Sequence, residues 1–140
     1  EQMLYCLKRI CEPCKEHVDN NFNPISSDCV KEFLPVREEL CNLMERTKAA
    51  ISQDDYTEAD DILRKGDTLK NSISALRKQQ MNHMQESDTT ALKAAMVYLN
   101  ILQESQELVS IWRHLLRASR FFQGDYVPKE VSMTALADER

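Results

Sequence analysis

Leu102-Gln103-Glu104-Ser105-Gln106-Glu107-Leu108 is the stretch whose reading decides the fold. It lies inside residues 88–122, which contain neither Gly nor Pro and read as one long helix. On that helix Leu92, Ala95, Met96, Leu99, Leu102, Val109, Trp112 and Leu116 follow the three-and-four spacing of a buried face. The position that continues the series between Leu102 and Val109 is Ser105 or Gln106, so a polar group interrupts a core. In the interior of a bundle such a group must find a hydrogen-bond partner or cost roughly 1–3 kcal/mol. Gln103, Glu104, Gln106 and Glu107 are therefore the candidate polar core layer, or what is left of a site.

Outward from this helix the same periodicity predicts three more. Residues 2–20 place Met3, Leu7, Ile10, Cys14 and Val18 on one side, with Pro13 either kinking the helix or dividing it. Ser26, Ser27 and Asp28 offer N-caps for a second helix whose stripe is Val30, Phe33, Leu34, Val36, Leu40, Cys41 and Met44, with Pro35 inside it. Asp54, Asp55 and Thr57 are candidate caps for a third, with Ala59, Ile62, Leu63, Gly66, Leu69, Ile73, Leu76, Gln80 and Met84 on one face. Ser87 and Asp88 would cap the long helix. Short connections make successive helices antiparallel. The expected fold is all-α, an elongated antiparallel bundle of three to four long helices over residues 1–123. Residues 124–140 lose the pattern and read as an extended or partly disordered tail.

Composition agrees and sets limits. Two Gly and four Pro among 140 residues suit long helices and disfavour a sheet with many tight turns. A net charge of −5, with both signs mixed along the chain, leaves no basic stripe for nucleic acid. No run approaches the roughly 18 to 20 apolar residues of a membrane span. A water-soluble piece is therefore expected, and the start at Glu1 without Met makes a segment of a longer protein the expectation. Five cysteines, an odd number, fit a reducing compartment better than a disulfide scaffold.

Several residues raise chemical readings. Cys6, Cys11, Cys14 and His17 include a CxxC spacing, which permits a metal or redox module, although no second CxxC and no βαβ pattern accompany it. Otherwise they are small buried side chains on a helix face. Glu58, Asp60 and Asp61 are candidate metal ligands, but acids in a first turn also compensate the helix dipole. Arg113, Arg117 and Arg120, with Lys8 and Arg9, could form a basic end facing phosphate or anionic lipid; the first three equally suit a helix C-terminus. Trp112, Phe121 and Phe122 read as core anchors or as a surface for a partner or a second copy. His83 and His114 have no partner motif. No nucleophile elbow, paired carboxylates or Gly-rich phosphate loop is present, so no enzyme and no cofactor are expected.

Residues 59–120, with Leu63-Arg64-Lys65-Gly66-Asp67-Thr68-Leu69 and Lys93-Ala94-Ala95-Met96-Val97-Tyr98-Leu99-Asn100-Ile101-Leu102-Gln103-Glu104, resemble the PhoU-like domain of bacterial sodium/phosphate cotransporters. The resemblance implies a three-helix up-down-up repeat on the cytoplasmic face of a transporter, with the transporter's membrane part as partner. In that family a late helix bears two carboxylates one turn apart that can hold metal ions. Here the corresponding positions are Gln103 and Glu107, or Glu104 and Leu108, and neither choice supplies the pair. The resemblance therefore implies a regulatory domain acting by contacts, with self-association possible.

Overall fold

The computed structural model describes residues 1–85 and 89–123. The expected caps Ser87 and Asp88, and the expected tail at 124–140, lie outside the described residues. Four helices, α1 (Gln2–Asp19), α2 (Ser27–Gln53), α3 (Ala59–Met84) and α4 (Thr89–Phe122), form an up-down antiparallel bundle, with no strand among the described residues. At 34 residues α4 is about 51 Å long. It touches the other three helices; α2 also packs on α3, and among the described residues α1 packs on α4 alone.

Local chemistry sets the helix ends. Ser26 caps α2 by accepting from the Cys29 backbone N–H at 3.2 Å. Asp54 closes α2 in the left-handed region (φ 53°), its N–H bonded to Ala50 O, a conformation Asp tolerates better than most residues. Asp55 Oδ1 then accepts from the Thr57 N–H at 3.0 Å. Asp54, Asp55 and Thr57 thus build the α2–α3 turn, and Glu58 occupies the N-cap of α3 without a side-chain cap bond.

Pro13 neither divides α1 nor ends it. Lacking an N–H, it cannot bond the carbonyl of Arg9 four residues back. That carbonyl accepts instead from Asn100 Nδ2 of α4 at 2.9 Å. The Pro thus turns an intrahelical bond into a tie between two helices.

The core centres on Leu43, Ile73, Leu102, Val109, Trp112 and Leu116. The α3 face is the expected one, with Ala59, Ile62, Gly66, Leu69, Ile73 and Gln80 buried. On α4 the expectation needs correction toward the N-terminus. Ala94 and Tyr98 are buried, whereas Leu92, Ala95 and Leu99 are half-buried and Met96 is 58% exposed. A helix with three neighbours buries a broad arc, and the Tyr98 ring, set edge-on to Phe33 at 6.4 Å, fills the space that a narrow stripe assigns elsewhere. On α2, Leu43, Thr47 and Ala50 face inward while Val30, Leu34 and Cys41 are exposed. On α1, Cys6 and His17 are buried, Leu7 is exposed and Val18 is 71% exposed, because among the described residues only α4 covers this helix. Trp112 is a core anchor; Phe121 and Phe122 are not, Phe122 being 82% exposed.

Gly66 serves a close approach. A Cβ there would lie 2.9 Å from Cδ of Arg113, whose side chain crosses α3 at this point to bond Asp67 at 2.6 Å. Any larger residue would push that arm aside.

The Tyr98 hydroxyl is buried without a hydrogen-bond partner among the described residues, and burial pushes its pKa up to about 12. The neutral phenol is favoured by folding. Its contribution is intact below the unfolded value near 10 and is lost as pH rises from about 10 toward 12. Tyr98→Phe removes an unpaired polar atom and is expected to raise unfolding stability by about 1 kcal/mol. Melting curves from pH 7 to 11 check both points: the wild type should lose more stability than the variant above about pH 10.

Candidate functional site in the polar layer of α4

The segment 103–107 divides its polar groups between two neighbouring helices. Glu104 is 0% exposed and Ser105 1%, placing a carboxylate and a hydroxyl inside the bundle. Arg9 of α1 reaches Glu104 and donates from Nη2 to its Oε1. The Arg9 side chain remains 46% exposed and lies over the Tyr5 ring, with its guanidinium carbon 5.5 Å from the centroid. Arg9 is therefore bonded to α4 twice, through its carbonyl to Asn100 and through its guanidinium to Glu104. Glu104 Oε2 is buried and has no hydrogen-bond partner among the described residues.

Gln106 faces α3. Its Oε1 accepts from Arg77 Nη1 at 2.8 Å, and its Nε2 donates to Ser74 Oγ at 2.7 Å and to Lys70 O at 3.3 Å. Four helical positions separate Lys70 from Ser74, so one amide spans a full turn of α3. The polar interruption is thus a paired structural layer, with Glu104 assigned to α1 and Gln106 to α3. Gln103 is half-buried and Glu107 exposed; both line a groove of about 610 Å³ between α1 and α4, with Tyr5, Cys6, Arg9 and Ile111.

Thiol chemistry follows from these placements. Burial pushes the Cys6 thiol up, and the neighbouring Glu104 carboxylate pushes the same way. Burial also raises Cys14, with Cys11 adding to it. A reactive cysteine needs its thiolate favoured, and here it is disfavoured at both positions. His17 bonds Asn23 O through Nε2 at 2.6 Å and packs on the Phe22 ring, so it secures the turn after α1. All five cysteines are free.

The acidic candidates are counter-charges. Arg46 of α2 binds Glu58 at 3.0 Å and Asp61 at 2.9 Å, Arg64 also bonds Asp61, and Lys65 lies 3.6 Å from it. Asp60 pairs with Arg120 at 2.8 Å. Glu58, Asp60 and Asp61 are thus spoken for by cations on three helices. Among the described residues no three His, Cys, Asp or Glu side chains gather where they could hold a metal. Nor do the arginines form one basic end: Arg113 is drawn to Asp67 and Arg120 to Asp60, which leaves Arg117 exposed between them. His83 and His114 stand on different helices, as expected.

The periodicity locates the polar layer, but it gives no sign that Arg9 and Asn100 belong to it. The one available signal is Pro13, which frees a carbonyl four residues earlier and so marks Arg9 as needing an outside donor. No family model, curated protein or solved structure matched the chain in comparisons with each.

Two outcomes test this layer. Gln106→Ala leaves Arg77 and Ser74 without their shared partner and is expected to cost about 1–3 kcal/mol in urea unfolding; Glu107→Ala, on the exposed side, is expected to stay within about 0.5 kcal/mol. The hydrogen bond from Arg46 holds the Asp61 carboxyl below its ordinary range, against the opposing effect of its own desolvation. Its contribution is present above the unfolded value near 3.8 and is lost as pH falls through the folded one. Asp61→Asn should therefore flatten the acid limb of the stability curve and leave the limb above pH 7 unchanged.

Proposed function

We propose that this chain is a regulatory interaction domain, PhoU-like, that works on the cytoplasmic face of a sodium-dependent phosphate transporter by contacts and without chemistry of its own. The observation that carries the reading is the state of the segment 103–107. Its buried carboxylate is taken by Arg9, and its half-buried amide by Arg77, Ser74 and Lys70. Of the positions where the resemblance puts a metal pair, Glu104 is bonded by Arg9 and Leu108 is buried and apolar, while Gln103 and Glu107 line the α1–α4 groove with one carboxylate between them, leaving surfaces as the means of action. Apolar ones include the outer side of α1, with Leu4, Leu7 and Val18 exposed, and the end of α4, with Leu115, Phe121 and Phe122. No helix among the described residues is long and apolar enough to cross a membrane, so any membrane part would lie elsewhere in the protein. The transporter itself comes from the resemblance of residues 59–120 alone.

The rival reading, a metal or redox module, has no observation in its favour. The acids are paired with Arg and Lys, and the thiols at Cys6 and Cys14 are pushed up.

Sodium-dependent phosphate uptake by the intact transporter is the test. Leu7→Glu together with Val18→Glu should change the uptake rate or its response to phosphate at least twofold with the transporter still inserted in the membrane. An unchanged rate and response, or a reading frame around the domain that encodes no apolar spans of about 20 residues, would count against the assignment. Manganese, iron and zinc should leave the melting temperature of the domain unmoved.

A further inference from the structure

The four helices are unequally secured. α2, α3 and α4 all pack on one another, and α2 and α3 contribute five and six buried residues. α1 contributes two, Cys6 and His17, and among the described residues touches α4 alone. Its outer side carries Leu4 at 72% exposure and Val18, with no helix of the described residues over them. What holds it in register is Arg9, through the Asn100 bond to its carbonyl and the guanidinium bond to Glu104. Elements with few buried contacts open at lower free energy than the unit they rest on.

We propose that α1 is a releasable latch. It leaves α4 as a unit while α2, α3 and α4 stay folded, and its departure uncovers a helix-binding groove on α4. The groove suits a helix that sets an Arg or Lys among apolar residues, the pattern α1 itself presents with Met3, Cys6, Arg9 and Ile10. The two halves of the clasp differ in access. Arg9 is half in water, where competing ions reach it, whereas Glu104 is sealed beneath α1. Opening hydrates Glu104, and closing requires a cation to cover it again, so only a helix carrying one is accepted. Cys6 reports on the transition, because its thiol is buried against α4 when the latch is closed and free to react when it opens. This inference is independent of the transporter reading.

The test is amide hydrogen exchange on the whole chain, with alkylation of Cys6 mapped by mass, for the wild type and Arg9→Ala. In the wild type the α1 amides are expected to exchange together, at least tenfold faster than the slowest amides of α3. Arg9→Ala should speed α1 exchange and Cys6 alkylation at least tenfold and leave the slow α3 amides unchanged. A fluorescent peptide of residues 1–20 should bind the Arg9→Ala chain at least tenfold more tightly than the wild type. Equal protection of α1 and α3 in the wild type would overturn the proposal even if the variant failed to fold. So would a variant in which α1 and α3 accelerate together, and a peptide that binds neither chain would remove the groove.

Discussion

One buried carboxylate constrains how this bundle is put together. An ionised Glu inside a helical core costs several kcal/mol unless a cation and hydrogen bonds repay it, so wherever α4 sets Glu104, another helix must bring a positive charge. Arg9 is that charge. Because Pro13 also leaves the Arg9 carbonyl to be satisfied by Asn100, a single residue fixes both the rotation and the register of α1 along α4. A one-turn slip would strand the carboxylate, the carbonyl and the amide together.

The rest of α4 follows the same logic of apportioning polar groups among neighbours. Glu104 and Gln106 are two residues apart, so they point about 160° apart around the helix and meet different partners. Apolar side chains drive the packing of α2, α3 and α4, but they are permissive about register, since a Leu fits several neighbouring hollows. The Gln106 network with Lys70, Ser74 and Arg77, and the ion pairs of Arg113 with Asp67 and Arg120 with Asp60, select one alignment of α3 against α4. Charges that look like a site in the linear sequence are here the alignment marks of a long bundle.

How far the sequence discloses this depends on whether the property is local. Helix type and number were legible because Gly and Pro are scarce and the apolar residues recur at helical spacing. The α3 face is legible in its six buried residues, with Leu63, Leu76 and Met84 at its half-buried margin, because that helix lies between α2 and α4. The faces of α1 and α2 were less so: both have wide apolar arcs, and periodicity cannot tell the covered half from the bare half. Val18 and Val30 fall on the apolar stripes that periodicity marks as interior, yet both are exposed. The interruption at 103–107 stood out as polar, but its partners lie up to 95 residues away and carry no local signature. Glu58, Asp60 and Asp61 have the composition of a metal site, and only their three-dimensional neighbours reveal them as partners of Arg46 and Arg120.

The most direct measurement of the central claim is a double-mutant cycle on Arg9 and Glu104, replacing each and both with Met and following unfolding in urea. If the pair fixes α1 to α4, the two losses will not add: Arg9→Met alone, which leaves the carboxylate unanswered, should cost more than the double variant, and the coupling should be about 1–3 kcal/mol. Losses that add within about 0.5 kcal/mol would mean that the two side chains act separately, and the account of α1 as held by this contact would be wrong.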